Sequence, residues 1–264
     1  LISKNNPKSL LPNVLTIFGV CLGLSSIKFA IDLNYSMAVI AISFAALLDT
    51  LDGRVARLIK GTSKVGRELD SLTDVISFGV APGFVMYFWS LNEIGKFGWL
   101  LVLIYTVCCA LRLARFNLTT IDENETWKVN FFEGIPSPAA AGIVLLPLIF
   151  NLSNLVEILN LNNIIQFLNL NSIFQIENNK IISSIIILST SILMVSKAPT
   201  YSLKRISIPR RLGAFLLLGI GVYISVLIYF PFEVLFLTGL IYVFLIPISY
   251  SHHKQLNNKF SNKN

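Results

Sequence analysis

Four aspartates occupy one short stretch, DTLDGRVARLIKGTSKVGRELDSLTD at residues 49–74. Asp49 and Asp52 stand three residues apart, and Asp70 and Asp74 stand four apart. Each pair therefore shares one face of a helix. A basic, glycine-containing loop joins the pairs, and a helical hairpin would bring the two faces together. Carboxylates gathered at the ends of apolar helices repel one another and lose hydration, unless a cation neutralises them or some are protonated. All-carboxylate ligation suits Mg²⁺, Mn²⁺ or Ca²⁺ and disfavours zinc. Two such ions about 4 Å apart clamp a phosphoryl group. The competing reading makes these aspartates exposed helix ends, with Asp52 paired to Arg57 and Glu68 to Lys64. One pair would fit that reading. Two same-face pairs around a glycine loop point instead to a cation site.

The intervening residues suit a nucleotide. Gly53 and Ala56 on one helix and Gly66 on the other leave room for a ligand to approach backbone. Arg57 can fork onto a phosphate. Gly61, Thr62 and Ser63 offer a turn with free N–H groups and hydroxyls. Arg54, Lys60 and Lys64 serve equally well as membrane anchors or as ligands.

This stretch resembles the signature of the CDP-alcohol phosphotransferase family, D-x2-D-G-x2-A-R-x8-G-x3-D-x3-D, at every fixed position. The resemblance implies a divalent metal cofactor, two Mg²⁺ or Mn²⁺ ions held by Asp49, Asp52 and Asp70 with the CDP pyrophosphate. It implies that Asp74 is the base that deprotonates an acceptor alcohol. Gly53, Ala56, Arg57 and Gly66 would line the CDP site, with Thr62 beside them. The start LPNVLT adds Asn13 and Thr16 near the same site. Phosphoryl transfer needs charge neutralised on phosphate oxygens and a nucleophile held in line, which such a set provides.

Two further segments bear on the acceptor. ALRLARFNL at 110–118 carries Arg112 and Arg115, and FFEGIPSPAAAG at 131–142 carries Glu133. Zwitterionic serine needs a donor for its carboxylate, met by Arg112 or Arg115, and an acceptor for its ammonium, met by Glu133. Anchoring is the alternative role for the arginines, and helix-start geometry the plain role of Pro136 and Pro138. These segments, and GTSKVGRELDSLTDVISFGVAPG, resemble those of membrane-embedded bacterial and archaeal family members that act on serine. The likeness spans roughly residues 10–205. It implies transfer of the phosphatidyl group of CDP-diacylglycerol to L-serine, releasing CMP, in a homodimer of the bacterial cytoplasmic membrane. Glycerol 3-phosphate, inositol or choline remain open as acceptors, and a cation-coupled transporter is the reading outside this class. A transporter would more usually carry its acids near mid-membrane and show an internal repeat, and none is visible here.

The elements that must position these residues are membrane helices. Of 264 residues, 54% are hydrophobic and only 13% charged, and mean hydropathy is +0.71. A span takes about 20 apolar residues. The expected fold is all-α, a polytopic bundle with spans near 12–31, 35–53, 70–91, 97–117, 136–153, 179–197, 212–230 and 232–250. Residues 1–205 would form a six-helix catalytic core, 206–250 an added hairpin, and 251–264 a polar cytoplasmic tail. No cleavable signal peptide is expected, because the first apolar stretch is too long. With both termini cytoplasmic, 18 of the 21 basic residues fall on the cytoplasmic side, as the positive-inside rule requires. The aspartates then face the cytoplasm. The net charge of +7 reads as topology and attraction to anionic lipid rather than nucleic-acid binding.

Other residues read as structural. Cys21, Cys108 and Cys109 show no metal spacing and are expected as small core residues. Tyr87, Trp89 and Trp99 suit an interfacial belt. His252 and His253 sit in the tail with no catalytic role expected. The Asn-rich stretch 151–178 suits either an amphipathic surface segment or a low-complexity loop.

Overall fold

The structure is a computed structural model that describes residues 10–59, 64–118, 131–155, 176–201 and 213–261. The membrane helices expected from hydropathy are all present. They are α1 (Leu10–Ile31), α2 (Tyr35–Leu58), α3 (Lys64–Asp74), α4 (Ala81–Trp89), α5 (Lys96–Leu118), α6 (Ser137–Leu152), α7 (Ile176–Val195), α8 (Gly213–Tyr229) and α9 (Pro231–Ser261). A π-helical segment, Val75–Val80, joins α3 to α4 without a break, so the two form one rod. Among the described residues, five helical rods are long and apolar enough to cross a membrane, and three shorter apolar helices accompany them, at Ser137–Leu152, Asn179–Val195 and Phe215–Tyr229. Large apolar side chains such as Phe18, Phe44, Leu103 and Ile185 face outward. That is the pattern of a bundle solvated by lipid, where helices satisfy their own backbone.

Local chemistry sets the joints. Between α1 and α2, Leu33 takes φ 60 and the Asn34 side chain caps α2 by accepting from Met37 N at 3.3 Å. Lys28 pairs with Asp32 at the same turn. Trp99 stands edge-on to Tyr87 and to Phe84, both with ring centroids 5.4 Å away. These aromatic contacts pin α5 to α4. Cys109 is buried and Cys108 half-buried, whereas Cys21 lies exposed on the outer face of α1, not in the core.

A two-stranded ribbon, absent from the hydropathy reading, brackets α6 and α7. Strand β1 (Phe131–Glu133) runs antiparallel to β2 (Pro199–Tyr201), with Phe132 opposite Thr200. Gly134 follows at φ +74, and a Cβ there would lie 2.6 Å from the Met194 carbonyl. Only glycine fits both the conformation and the close approach. The Gly134 carbonyl accepts from the Thr200 hydroxyl at 2.8 Å. The chain is thus steered directly into the start of α6.

Helix α9 continues through residues 251–261, so the described part of the tail is helical. Its C-terminal part packs on the ribbon: the Tyr201 hydroxyl lies 3.0 Å from His252 Nδ1, and His253 stands edge-on to Phe131. Its other end is held where Glu233 accepts from Asn154 N at 3.0 Å. In α8, by contrast, nearly all side chains described are exposed. Thr62 and residues 156–175 of the Asn-rich stretch lie outside the described residues.

Candidate active site

Asp49 sits near the end of α2, and Asp70 and Asp74 near the end of α3. Each offers a carboxylate oxygen within 4.8 Å of the other two. The helical hairpin inferred from spacing therefore brings three of the four aspartates to one point. Asp52 lies one turn beyond Asp49 and is buried. Its Oδ2 is 2.6 Å from the Thr16 hydroxyl of α1, which also lies 3.0 Å from the Pro12 carbonyl. With a single proton, that hydroxyl donates to one of the two at a time. Asn13, one turn before Thr16, is half-buried.

Gly53 is exposed, and a Cβ built on it meets nothing within 4 Å. Open space therefore borders the aspartates on this side. Ala56 and Gly66 are half-buried. Arg57 is exposed and its Nε donates to the Gly53 carbonyl at 3.0 Å, so it lies back along α2.

The two arginines part company. Arg112 is 7% exposed and its Nη1 donates to Ser137 Oγ at 2.6 Å. Its guanidinium carbon lies 5.7 Å from the centre of the Phe116 ring. Asp74 and Arg112 are within each other's electrostatic reach. Among the described residues, buried Arg112 Nε and Asp74 Oδ1 have no hydrogen-bond partner. Buried polar atoms are rarely left so, and a water, an ion or a ligand can complete such a set. Arg115 instead donates to the Val195 carbonyl at 2.7 Å and the Ser196 carbonyl at 3.2 Å, tying α5 to the end of α7. Glu133 is exposed at the end of β1, opposite Pro199.

Three supports have no motif in the sequence to announce them. Ser137 was overshadowed by the prolines on either side of it. Tyr105, fully buried, donates from its hydroxyl to the Phe78 carbonyl at 2.7 Å. In an α-helix that carbonyl would accept from residue 82, but Pro82 has no N–H. The ladder widens here to a π-turn, with Ala81 N reaching Ile76 O, and such turns recur at functional sites. Pro82 within VISFGVAPG is the one signal of this in the sequence. Finally, Asn117 donates to Ser71 Oγ at 2.9 Å, tying the end of α5 to α3.

The donor set fits a divalent cation. Three converging carboxylates offer hard oxygen ligands and the right charge, with no sulfur or imidazole among them.

The family model for CDP-alcohol phosphatidyltransferase matches residues 9–173. A CDP-diacylglycerol–serine O-phosphatidyltransferase of Mycobacterium leprae is 32% identical over 252 residues, covering 94% of this chain and 76% of its own length. The enzyme of the same name in Helicobacter pylori is 42% identical over 146 residues, 55% of this chain and 60% of its own length. That of Bacillus subtilis is 36% identical over 142 residues, 53% of this chain and 77% of its own length.

Proposed function

The chain belongs to the CDP-alcohol phosphatidyltransferase family, and on that premise we propose that it transfers the phosphatidyl group of CDP-diacylglycerol to the hydroxyl of L-serine. The observation that carries this reading is the convergence of Asp49, Asp70 and Asp74 beside a buried arginine. Such an arrangement suits a phosphate-bearing lipid on one side and an anionic group on the other.

In this reading Asp49, Asp52 and Asp70 would hold two divalent ions, Mg²⁺ or Mn²⁺. Ions there neutralise charge on the phosphate oxygens. Thr16 keeps the Asp52 carboxylate oriented. Gly53 and Ala56 let the cytidine phosphate lie close to α2, and Arg57 swings from the Gly53 carbonyl to the pyrophosphate. Arg112, already fixed by Ser137, receives the serine carboxylate. Asp74 takes the proton of the serine hydroxyl as its oxygen bonds to phosphorus, and CMP departs with the electrons of the broken P–O bond. Phosphatidylserine and CMP are the products. With the basic residues on the inner side of the membrane, this site would face the cytoplasm. The homodimer implied by the family likeness belongs to the same reading and is tested by mass measurement in detergent.

The decisive experiment adds acceptors to the purified protein with CDP-diacylglycerol and Mg²⁺ or Mn²⁺, and follows CMP. Release with L-serine well above that with glycerol 3-phosphate or inositol is expected. A preference for either of the others would remove serine as the acceptor.

A further inference from the structure

Helix α9 lies beyond the segment that the family model matches, yet it is built into the bundle rather than appended to it. It is held at both ends, by Glu233 to Asn154 and by His252 to Tyr201. Between those points Gly239 packs so tightly on α6 that a Cβ would lie 2.6 Å from Leu146 Cδ2. One turn further toward the tail stands Tyr242, with its ring half-buried and its hydroxyl buried.

A cleft of about 300 Å³ opens between α2, α6 and α9, and Tyr242 lines it together with Ala46 and Pro138. Both neighbours touch on the catalytic residues. Ala46 is one helical turn before Asp49, and Pro138 follows Ser137, which holds Arg112. Most of the lining is apolar. Its other hydroxyls are committed locally, Ser43 to the Val39 carbonyl at 2.9 Å and Thr238 to the Val234 carbonyl at 2.9 Å. Tyr242 differs, since its buried hydroxyl has no hydrogen-bond partner among the described residues. The Thr200 hydroxyl beside it gives its own proton to the Gly134 carbonyl, so toward Tyr242 it can only accept. The Tyr242 hydroxyl and the Arg112 guanidinium are within each other's electrostatic reach.

Arg112 Nε, Tyr242 Oη and Asp74 Oδ1 are thus three buried atoms without hydrogen-bond partners among the described residues, and Tyr242 and Asp74 each lie within electrostatic reach of Arg112. Two are donors and one is a carboxylate oxygen. A small acceptor carrying both a carboxylate and a hydroxyl matches that set, because each orphan then gains a partner. We infer that Tyr242 is a specificity residue of the acceptor site, donating with Arg112 to the acceptor's carboxylate while Asp74 faces its hydroxyl. This rests on the serine-transfer reading. It gives α9 a role in recognition, and it makes the acceptor site depend on a helix outside the six-helix core.

The test compares full-length wild type, Tyr242→Phe and Ser43→Ala in the CMP-release assay. Tyr242→Phe keeps the ring and removes the donor. Its serine KM should rise about tenfold or more, the scale of a hydrogen bond lost to a charged group, while the CDP-diacylglycerol KM stays within about twofold. Ser43→Ala lines the same cleft and should leave both constants at wild-type values. An unchanged serine KM in Tyr242→Phe overturns the assignment. So does a rise confined to the CDP-diacylglycerol KM, which would give this end of the cleft to a lipid acyl chain. A wild type that does not use serine at all removes the functional reading first, and the wild-type control separates that failure from the others.

Discussion

Asp49 and Asp70 differ from Asp52 in what surrounds their carboxylates. The first two converge with Asp74, whereas Asp52 is held by Thr16 at 2.6 Å. Asp49→Asn or Asp70→Asn removes a charge that no neighbour replaces, and each should lower kcat by about 10²-fold or more. Thr16→Val leaves every carboxylate in place but frees Asp52 to rotate. A smaller loss is expected, about tenfold, together with a higher Mg²⁺ concentration at half-activity; an unchanged metal requirement would remove Thr16 from the site. Chelation should abolish activity in every active form, and added Mg²⁺ or Mn²⁺ should restore it. At the arginines, Arg112→Lys keeps the charge but loses the fork, so serine KM should rise roughly ten- to hundredfold. Arg115→Lys should instead lower thermal stability with little change in serine KM, because its partners are the Val195 and Ser196 carbonyls.

At the scale of elements, the rod that carries Asp70 and Asp74 is held by contacts far from the carboxylates. Ser77 donates to the Gly19 carbonyl at 3.2 Å, and Tyr105 donates to the Phe78 carbonyl. These fix the π-turn to α1 and α5, and with it the rotation of α3 about its axis. Tyr105→Phe strips a donor from a buried carbonyl that Pro82 cannot serve. A loss of about 1–3 kcal/mol is expected, read as a lower thermal midpoint in detergent, with reduced kcat because Asp74 is the next residue before the turn. The ribbon does the same for Arg112. Gly134→Ala meets both a positive φ and the Met194 carbonyl, so the start of α6 and Ser137 should shift, and activity should fall even where the protein still purifies.

For the whole molecule, the distribution of basic residues makes a directional claim. Cysteines placed at Arg54, Arg67 and Lys254 should be shielded from an impermeant reagent added outside intact cells. Cysteines at Asn34 and Asn92, on the opposite ends of the same helices, should react. Labelling at Arg67 from outside would invert the bundle and move the aspartates to the wrong side for cytoplasmic CMP and serine.

The segment 49–74 and the hydropathy pattern were enough to read a membrane bundle and the family, and to expect the hairpin that brings Asp49, Asp70 and Asp74 together. Both signals are local: a span is one continuous apolar run, and the motif lies in one hairpin whose i,i+3 and i,i+4 spacings define its faces. The eight expected spans were legible for the same reason, whereas the start of α3 at Lys64 and the run of α9 on to Ser261 were not. What only the tertiary structure decided came from contacts between residues distant in sequence. It gave Asp52 a partner that the other three lack, the hydroxyl of Thr16, 36 residues away. It divided two arginines three residues apart, Arg112 turning inward to Ser137 and Arg115 to the end of α7. It paired two three-residue strands that no periodicity could reveal, and it carried Tyr242 from the chain's last helix to the neighbourhood of Arg112. Burial and partnership belong to pairs of residues, and a sequence lists residues one at a time.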